Sequence, residues 1–394
     1  MVTPTSKSAI NRRVASLAPS ATLAITAKAK QLKGQGVDVI NFAGGEPDFD
    51  TPQQFKDAAI KALKEGMTRY TPTTGLPALK EAIAEKLKRD NQLEYKPEQI
   101  IVTVGAKHAV FNAIQVLVDE GDDVLIPAPY WLSYPEMVKM AGGRNVIIQT
   151  AESNRFKLTP DLLKRSITPA SKVLILNSPS NPTGVVYSKE ELTEITRIAV
   201  DRGIFVVSDE IYEKLIYGNA RHYAVAALDP KFKDWVITVN GLSKAYAMTG
   251  WRLGYLAAPM EIVKAASSLQ DHQTSNVTSF AQPAAIEALR NGEAEAKRLC
   301  EIFSKRKDLI IAELKKIPQI SFVEPDGAFY VFVNIAKTGL PSLEFSQKIL
   351  DEAHIALIPG APFGAEGYVR ISFATSEQEI VKGAERLRNW VQKK

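Results

Sequence analysis

The sequence contains a single cysteine, Cys300, among 394 residues. One cysteine excludes an intrachain disulfide and a cysteine-based metal site, and it favours a reducing compartment. Long hydrophobic runs are also missing, since no stretch approaches the roughly 18 apolar residues that a bilayer-spanning helix needs. Runs of about five or six like charges are absent, so the net charge of +5 does not indicate a nucleic-acid or membrane-binding arm. We therefore expect a cytoplasmic, globular protein.

Motifs for metals and nucleotides are missing too. The four histidines are scattered, and no pair has the i, i+4 spacing of a helical zinc site, so no metal is predicted. The sequence holds neither a P-loop nor a glycine-rich dinucleotide fingerprint. Residues 1–37 contain six lysines or arginines and no acid, a bias that is typical of transit peptides. Because "PSATLAITAKAKQLKGQG" has helical periodicity and ends at glycine, we instead expect this segment to belong to the fold.

The sequence does contain the pattern of a parallel sheet. With 45% hydrophobic and 24% charged residues, the chain is long enough for a large core and two domains. From about residue 100, short apolar runs alternate with helical stretches, one of which begins with a capping box of Ser188 and Glu191. Continuously apolar runs indicate strands buried on both faces, so we predict an α/β fold with a mostly parallel, doubly covered sheet. The predicted strands are "IIVTV" (100–104), "DVLIPA" (123–128), "KVLILN" (172–177), "IFVVSDE" (204–210) and "WVITVNG" (235–241).

The last third of the chain has a different pattern. A helical region around residues 280–317 is followed by "DGAFYVFVNI", "IALIPG" and "YVRISFA", which are typical of antiparallel strands. A final helix is predicted, with its N-terminus capped by Ser376 and Glu379. We therefore predict a large domain at residues 46–290 and a smaller α+β domain formed by residues 1–45 together with 291–394.

Polar residues cluster where the predicted parallel strands end, and ligands bind outside the carboxyl ends of such strands. The segment "GLSKAYAMTGWRLGY" (241–255) holds two cations, Lys244 and Arg252, and no carboxylate. Burial and the neighbouring guanidinium would both lower the pKa of Lys244, and a neutral lysine amine is a nucleophile toward aldehydes. Asp209 ends a buried strand, where a carboxylate needs a partner such as a pyridinium N–H.

An anion site is predicted at the strand-turn-helix "VTVGAKHAV". A helix is expected directly after Gly105, so the backbone amides of Ala106 and Lys107 would point toward a bound phosphate. Ser243 and Arg252 would add a hydroxyl and a bidentate cation. These residues are candidate contacts of a phosphate-bearing cofactor.

Taken singly, each candidate also has an ordinary structural explanation. Lys244 could be a solvated charge, Asp209 a helix N-cap and Asn181 a turn residue. Trp131 and Tyr212 could be core aromatics. The functional interpretation depends on their joint occurrence.

The motifs "SPSNPTG", "SDEIY", "SKAYAMTGWR" and "YVRISFA", with "GGEPDF" near the start, closely resemble the fold-type I, class I aminotransferases that use pyridoxal 5'-phosphate. The chain looks most similar to the bacterial and plastid aspartate aminotransferase subgroup, Iβ, from about Asn11 to the C-terminus. The resemblance implies the fold of pyridoxal-phosphate-dependent transferases. It also implies amino transfer between aspartate and 2-oxoglutarate by a ping-pong mechanism.

Carried over position by position, the resemblance assigns cofactor contacts. Lys244 matches the lysine that forms a Schiff base with the cofactor and moves the substrate proton. Asp209 matches the partner of the pyridine nitrogen, and Asn181 and Tyr212 match the donors to the ring oxygen. Trp131 matches the aromatic ring that stacks on the pyridine.

Further positions match substrate and subunit contacts. Arg370 matches the arginine that binds the substrate α-carboxylate, and the backbone of Gly45 would close over the same group. Tyr70 matches a tyrosine that reaches the cofactor phosphate of the neighbouring subunit. The resemblance therefore implies a homodimer with shared active sites.

The resemblance also implies residues that bind the distal carboxylate of the substrate. In the subgroup that this chain resembles, a lysine in the "VGAKHA" turn binds that carboxylate, and here it is Lys107. Ser20 and Thr22 in "PSAT" resemble the hydroxyls beside it. Members that also transaminate prephenate carry a lysine before the "PSAT" proline, and this chain has Ala18 there.

Other activities remain open on the same fold. These are an aminotransferase of broader, aromatic, alanine or prephenate specificity, and a lyase such as a cyclopropane-carboxylate synthase. A cofactor-sensing transcription regulator would need an added DNA-binding module, for which the resemblance leaves no room before about Asn11.

Overall fold

The structure is a computed structural model that describes residues 10–19 and 21–393, without the side chains of residues 21–23. The helices, in chain order, are α1 (Arg12–Ala15), α2 (Ala21–Gly34), α3 (Gln53–Lys64), α4 (Pro77–Asn91), α5 (Gly105–Leu117), α6 (Ser133–Ala141), α7 (Pro160–Ser166), α8 (Lys189–Val200), α9 (Met260–Asp271), α10 (Gln282–Asn291), α11 (Glu293–Leu314), α12 (Ser342–Ala353) and α13 (Glu377–Val391). The strands are β1 (Ile40–Asn41), β2 (Ile100–Val104), β3 (Asp123–Ala128), β4 (Arg144–Gln149), β5 (Ser171–Asn177), β6 (Phe205–Asp209), β7 (Val236–Gly241), β8 (Leu253–Ala257), β9 (Ser321–Phe322), β10 (Tyr330–Asn334), β11 (Ile355–Ala356), β12 (Ile358–Pro359) and β13 (Tyr368–Ser372).

The central element is a seven-stranded sheet in the order β2-β8-β7-β6-β5-β3-β4. The strands from β7 to β4 in that order are parallel to their neighbours, whereas β8 runs antiparallel to both β2 and β7. The predicted mostly parallel sheet is therefore confirmed. Strands β4 and β8 were not predicted, because the first has exposed and half-buried positions and the second lies next to polar residues.

Alternation along the strands explains why both sheet faces are covered. In β5, Val173 and Ile175 belong to one buried cluster, which also includes residues of α5, α6 and α9. Leu174 and Leu176 point the other way, into a cluster with residues of α3, α4, α8 and α10. Successive side chains of a strand lie on opposite faces, so an unbroken apolar run requires a helical layer on each side.

A second, four-stranded antiparallel sheet has the order β12-β13-β10-β9. The predicted strand "IALIPG" is divided, because Ile355 and Ala356 pair in parallel with β1 while Ile358 and Pro359 pair antiparallel with β13. The predicted helical region around 280–317 is likewise two helices, α10 and α11, which meet at Gly292. No helix within residues 10–19 and 21–393 has both the length and the apolar character needed to cross a membrane.

The first turn of α5 packs directly on β8. A Cβ atom at Gly254 would lie 2.3 Å from the backbone nitrogen of Ala106 and 2.4 Å from the carbonyl carbon of Gly105. Gly105 itself has a φ of +76°, a left-handed conformation that favours glycine. Two glycines thus let the helix N-terminus approach the sheet.

We expect Gly254→Ala to destabilise the protein by roughly 1–3 kcal/mol, because the new methyl group would force backbone apart rather than displace a flexible side chain. Urea unfolding monitored by circular dichroism measures this change. Gly250→Ala is the matched control, since a Cβ atom there would meet nothing within 4 Å. Equal effects of the two substitutions would contradict the packing argument.

Candidate active site

A cavity of about 410 Å³ opens at the carboxyl ends of β5, β6 and β7, beside the first turn of α5. It combines residues that are far apart in sequence, from the loop after β1 to β13. Its lining comprises Gly45, Ala106, Lys107, Trp131, Leu132, Ser133, Tyr134, Asn177, Asn181, Asp209, Ile211, Tyr212, Ser243, Lys244, Arg252, Tyr330 and Arg370. The structure thus brings together most of the residues that the sequence singled out.

Lys244 lies in the turn that follows β7. Its Nζ donates a hydrogen bond of 2.5 Å to the carbonyl oxygen of Gly45. Burial lowers the pKa of Lys244 to about 8; the negative charge of Glu46 opposes this shift and the positive charge of Arg370 adds to it. A lysine with this pKa supplies a neutral, nucleophilic amine near neutral pH.

Glu46 is a contributor that sequence reasoning missed. The 241–255 segment has no carboxylate, but Glu46 comes from the loop after β1 and accepts a hydrogen bond from Thr249 Oγ1 at 2.7 Å. Its charge raises the pKa of Lys244 against the effect of burial. A signal was present in the sequence, since Glu46 directly follows the candidate substrate residue Gly45.

Asp209 is buried at the end of β6. Tyr134 donates its hydroxyl to Asp209 Oδ2 at 2.7 Å, and the backbone N–H of Ile211 lies 3.3 Å from Oδ1. Burial raises the pKa of Asp209 to about 6, although the hydrogen bond from Tyr134 lowers it. Within the described part of the chain Asp209 forms no ion pair, so its carboxylate can receive a cationic N–H donor from a ligand.

The predicted anion site has cationic and polar groups but no protein anion. Ala106 and Lys107 in the first turn of α5 line the cavity together with Ser243 and Arg252. The Arg252 guanidinium donates only to backbone carbonyls, those of Thr249 at 3.0 Å and Val104 at 3.2 Å, and forms no ion pair with the described residues. A helix N-terminus beside such a guanidinium attracts an anion such as phosphate.

Arg370 forms a second place for an anion. Although its side chain is only 2% exposed, it donates to neutral acceptors, namely Ala43 O at 2.9 Å and Asn181 Oδ1 at 3.0 Å. Its Nε has no hydrogen-bond partner, and its guanidinium carbon lies 4.4 Å from the ring centroid of Tyr330. Burying a guanidinium without a counter-charge is costly, and a ligand carboxylate would offset that cost.

Aromatic residues form the walls. Tyr212 and Tyr330 share a hydrogen bond of 2.9 Å between their hydroxyls. Trp131 packs edge-on against Tyr134, with ring centroids 5.3 Å apart, and the Nζ of Lys107 lies 5.0 Å from the Trp131 ring centroid. Burial lowers the pKa of Lys107, and the charge of Arg252 adds to that effect.

Six lining residues were not among the predicted site residues, namely Leu132, Ser133, Tyr134, Asn177, Ile211 and Tyr330. Tyr134 follows Trp131 by three positions, and Tyr330 lies on β10 beside β13, which carries Arg370. Asn177 was expected only as a strand-end residue; its side chain accepts from the Asn181 backbone at 2.8 Å. Pairing between distant strands, which sequence periodicity does not reveal, brings Tyr330 to the site.

Some predicted residues lie elsewhere. Tyr70 is 92% exposed, away from this cavity, on a surface that it shares with Thr274 and Asn276. Its predicted contact would be made in a partner subunit, so that role stays a prediction. Ser20 lies outside the described residues, as does the side chain of Thr22.

The structure also groups one histidine with acids. Ligand atoms of Glu210, Glu213 and His222 lie within 4.8 Å of one another. Lys86 forms an ion pair with Glu213 in the same cluster and so already supplies a positive charge. Sequence spacing alone gave no sign of this grouping, because His222 lies in an irregular segment.

The chain belongs to the aminotransferase class I and II family, whose sequence model matches residues 37–387. The aspartate aminotransferase of Geobacillus stearothermophilus is 50% identical over 386 residues, which cover 97% of this chain and 98% of that protein. A probable aspartate/prephenate aminotransferase of Aquifex aeolicus is 46% identical, with 95% and 97% covered. The solved structure of Thermus thermophilus aspartate aminotransferase with maleate has a TM-score of 0.93 at 43% identity, with 96% and 99% covered. The predicted family and fold class are confirmed.

The lowered pKa of Lys244 predicts its reactivity. In the cofactor-free protein, we expect its labelling by acetic anhydride to rise about tenfold per pH unit and to level off above about pH 8, because only the neutral amine reacts. Mass spectrometry of the Lys244 peptide, with free Nα-acetyl-lysine as internal reference, measures the profile. A profile that rises in parallel with the reference amine up to about pH 10 would contradict the burial argument.

Proposed function

We propose that this aminotransferase uses pyridoxal 5'-phosphate and transfers the amino group of aspartate to 2-oxoglutarate. The observation that carries the proposal is the charge pattern of the cavity: a buried carboxylate, a lysine amine of low pKa and two guanidinium groups, none in an ion pair with a described residue. Relatives named aspartate aminotransferase, near 50% identity, support the choice of substrate.

The donor set fits the cofactor. Asp209 would hold the pyridine nitrogen as its protonated form, which would stabilise a carboxylate that burial otherwise disfavours. Arg252, Ser243 and the first turn of α5 would bind the phosphate. When bound, the cofactor supplies an electron sink for the pair left on the substrate Cα atom after proton loss.

The protein's own groups then bind the substrate and move one proton. Arg370 and Asn181 would hold the α-carboxylate in the cavity that Lys244 also lines. Lys244 acts as the general base and acid, since a pKa of about 8 lets it accept and return a proton near neutral pH. Trp131 and Tyr212 line the same cavity and would contact the cofactor ring.

Specificity for dicarboxylates rests on Lys107. Its Nζ lies over Trp131 in the cavity, and burial disfavours its charge until an anion arrives. The maleate named with the Thermus thermophilus structure is itself a dicarboxylate. The alternative is a broader, aromatic, alanine or prephenate specificity. Prephenate is the less favoured of these, because this chain has Ala18 at the position where the prephenate-using members carry a lysine.

We further propose a cytoplasmic homodimer in which Tyr70 of each protomer serves the other's cofactor site. The exposure of Tyr70 is compatible with this arrangement, because it leaves the side chain accessible to a partner subunit. We propose that residues 1–45 and 291–394 form a small domain that closes on the large domain, residues 46–290. The separate four-stranded sheet, within residues 321–372, supports that division.

Protein loaded with pyridoxal phosphate is expected to absorb visible light, and the band should shift on addition of aspartate or glutamate. Borohydride reduction followed by mass spectrometry should place the cofactor on Lys244, whereas Lys244→Ala should retain none after denaturation. A spectrum that neither amino acid changes would refute the dicarboxylate assignment. Absence of any band in cofactor-saturated protein would refute the cofactor assignment.

For Lys107→Ala, we expect kcat/KM for aspartate to fall by roughly tenfold to a hundredfold, and that for alanine or phenylalanine to change little. The reason is that only aspartate presents a distal carboxylate. Lys189→Ala is the matched control, since Lys189 is an exposed lysine in the first turn of α8, outside this cavity. Equal losses for all amino donors would remove Lys107 from the specificity role.

A further inference from the structure

The loop between β1 and α3, residues 43–51, here called the acceptor loop, contacts both cations that face the substrate. The carbonyl oxygen of Ala43 accepts from Arg370 Nη2 at 2.9 Å. The carbonyl oxygen of Gly45 accepts from Lys244 Nζ at 2.5 Å. Any displacement of this loop therefore changes the surroundings of the amine and the guanidinium together.

Both ends of the acceptor loop are fixed by other elements. At the start, β1 pairs with β11, with Ile40 opposite Ile355. At the end, Thr51 donates its hydroxyl to Ala247 O at 2.7 Å and accepts from Trp251 Nε1 at 2.9 Å. These contacts do not involve the middle of the loop, which has to be held by side chains of its own.

Arg306 of α11 provides such a contact from the other side of the proposed domain boundary. Its side chain is buried and its Nη1 donates to Asp48 Oδ1 at 2.6 Å. Its guanidinium carbon lies 4.8 Å from the Phe49 ring centroid, and Phe49 packs edge-on against Phe303 at 5.7 Å. Asp48 is the carboxylate with which Arg306 pairs, and the Nε of Arg306 has no partner.

We propose that Arg306 is a positioning residue that acts through Asp48 to hold the acceptor loop against Lys244 and Arg370, and thereby sets the affinity for the substrate carboxylate. Only Glu46 and Pro47 separate Asp48 from Gly45, so a loop released at Asp48 can withdraw the Gly45 carbonyl without disturbing either fixed end. A second hydrogen bond, between Glu46 and Thr249, connects the loop to the segment after β7 and does not involve α11. This proposal deepens the function proposed above and rests on it.

The test uses Arg306→Met, which keeps a long apolar side chain but removes the guanidinium group. It is compared with Arg306→Lys, which keeps the charge, and with the control Lys305→Met. Lys305 is an exposed neighbour on the same helix. For Arg306→Met we expect KM for aspartate to rise roughly tenfold or more with a smaller change in kcat. Arg306→Lys should recover part of the loss, and Lys305→Met should match the parent protein.

Hydrogen exchange of the cofactor-loaded protein gives a readout that does not depend on turnover. Peptides covering residues 43–51 should exchange faster in Arg306→Met, and those from the central sheet should not. Faster exchange across the whole protein, or a fall in kcat without a change in KM, would show a merely structural role and overturn the proposal.

Asp48→Asn completes the experiment, because it removes the charge at the loop end of the pair with little change in side-chain size, and it gives a second variant should Arg306→Met fail to fold. If Arg306 acts through Asp48, the double variant Arg306→Met/Asp48→Asn should lose no more affinity than either single variant. Additive losses would overturn the proposal. Absence of aspartate turnover in the parent protein would instead refute the proposed function, and the loop exchange would still decide whether Arg306 holds the loop.

Discussion

Buried charge without a protein counter-charge is the constraint on which this site depends. Asp209 and Arg370 are buried around one cavity with neutral hydrogen-bond partners in place of opposite charges, and Lys244 donates to a carbonyl. Removing an ion from water costs several kcal/mol, and neutral donors or acceptors recover only part of that. The fold tolerates this cost because large apolar clusters cover both faces of the sheet. A ligand with a cationic ring nitrogen, a phosphate and carboxylates matches what the protein leaves uncompensated.

The parts of the fold that could be predicted from sequence are those with strong local patterns. The predicted strands at 172–177, 204–210 and 235–241 agree with β5, β6 and β7 to within about one residue, because a strand buried on both faces is continuously apolar. Asp209 and Lys244 could then be predicted as site residues, because they lie at or just after the carboxyl ends of these strands. The edge strand β4 was missed because most of its positions are exposed or half-buried. The segment at 355–359 was predicted as one strand, whereas its first part pairs with β1, which lies far away in sequence, and its second part with β13.

The site residues, like the strands, could be predicted where the local sequence pattern is strong. Residues in recognisable motifs were located, whereas residues that act on them from other elements were not. Tyr134 reaches Asp209, and Glu46 influences Lys244, through tertiary packing, so a position close to a motif in sequence did not reveal the group on which each acts. Tyr70 shows a further limit, because the role proposed for it depends on a second chain. Sequence patterns predict which groups a site contains better than they predict what sets the protonation state of those groups.

The direction of β8 determines how the two cations of the 241–255 segment, Lys244 and Arg252, are positioned relative to each other. A parallel strand after β7 would have required the chain to travel the length of the sheet and return, usually through a crossover helix. Because β8 is antiparallel to β7, the connection stays at a single edge of the sheet, where Gly241 lies opposite Gly254. Lys244 and Arg252 thus lie on one connection, residues 242–252, and the strand ends that flank it are paired with each other. The separation between the Lys244 amine and the Arg252 guanidinium, for which we propose a role in phosphate binding, is set by a locally closed unit. It can therefore survive rearrangements elsewhere that would separate elements joined only by packing.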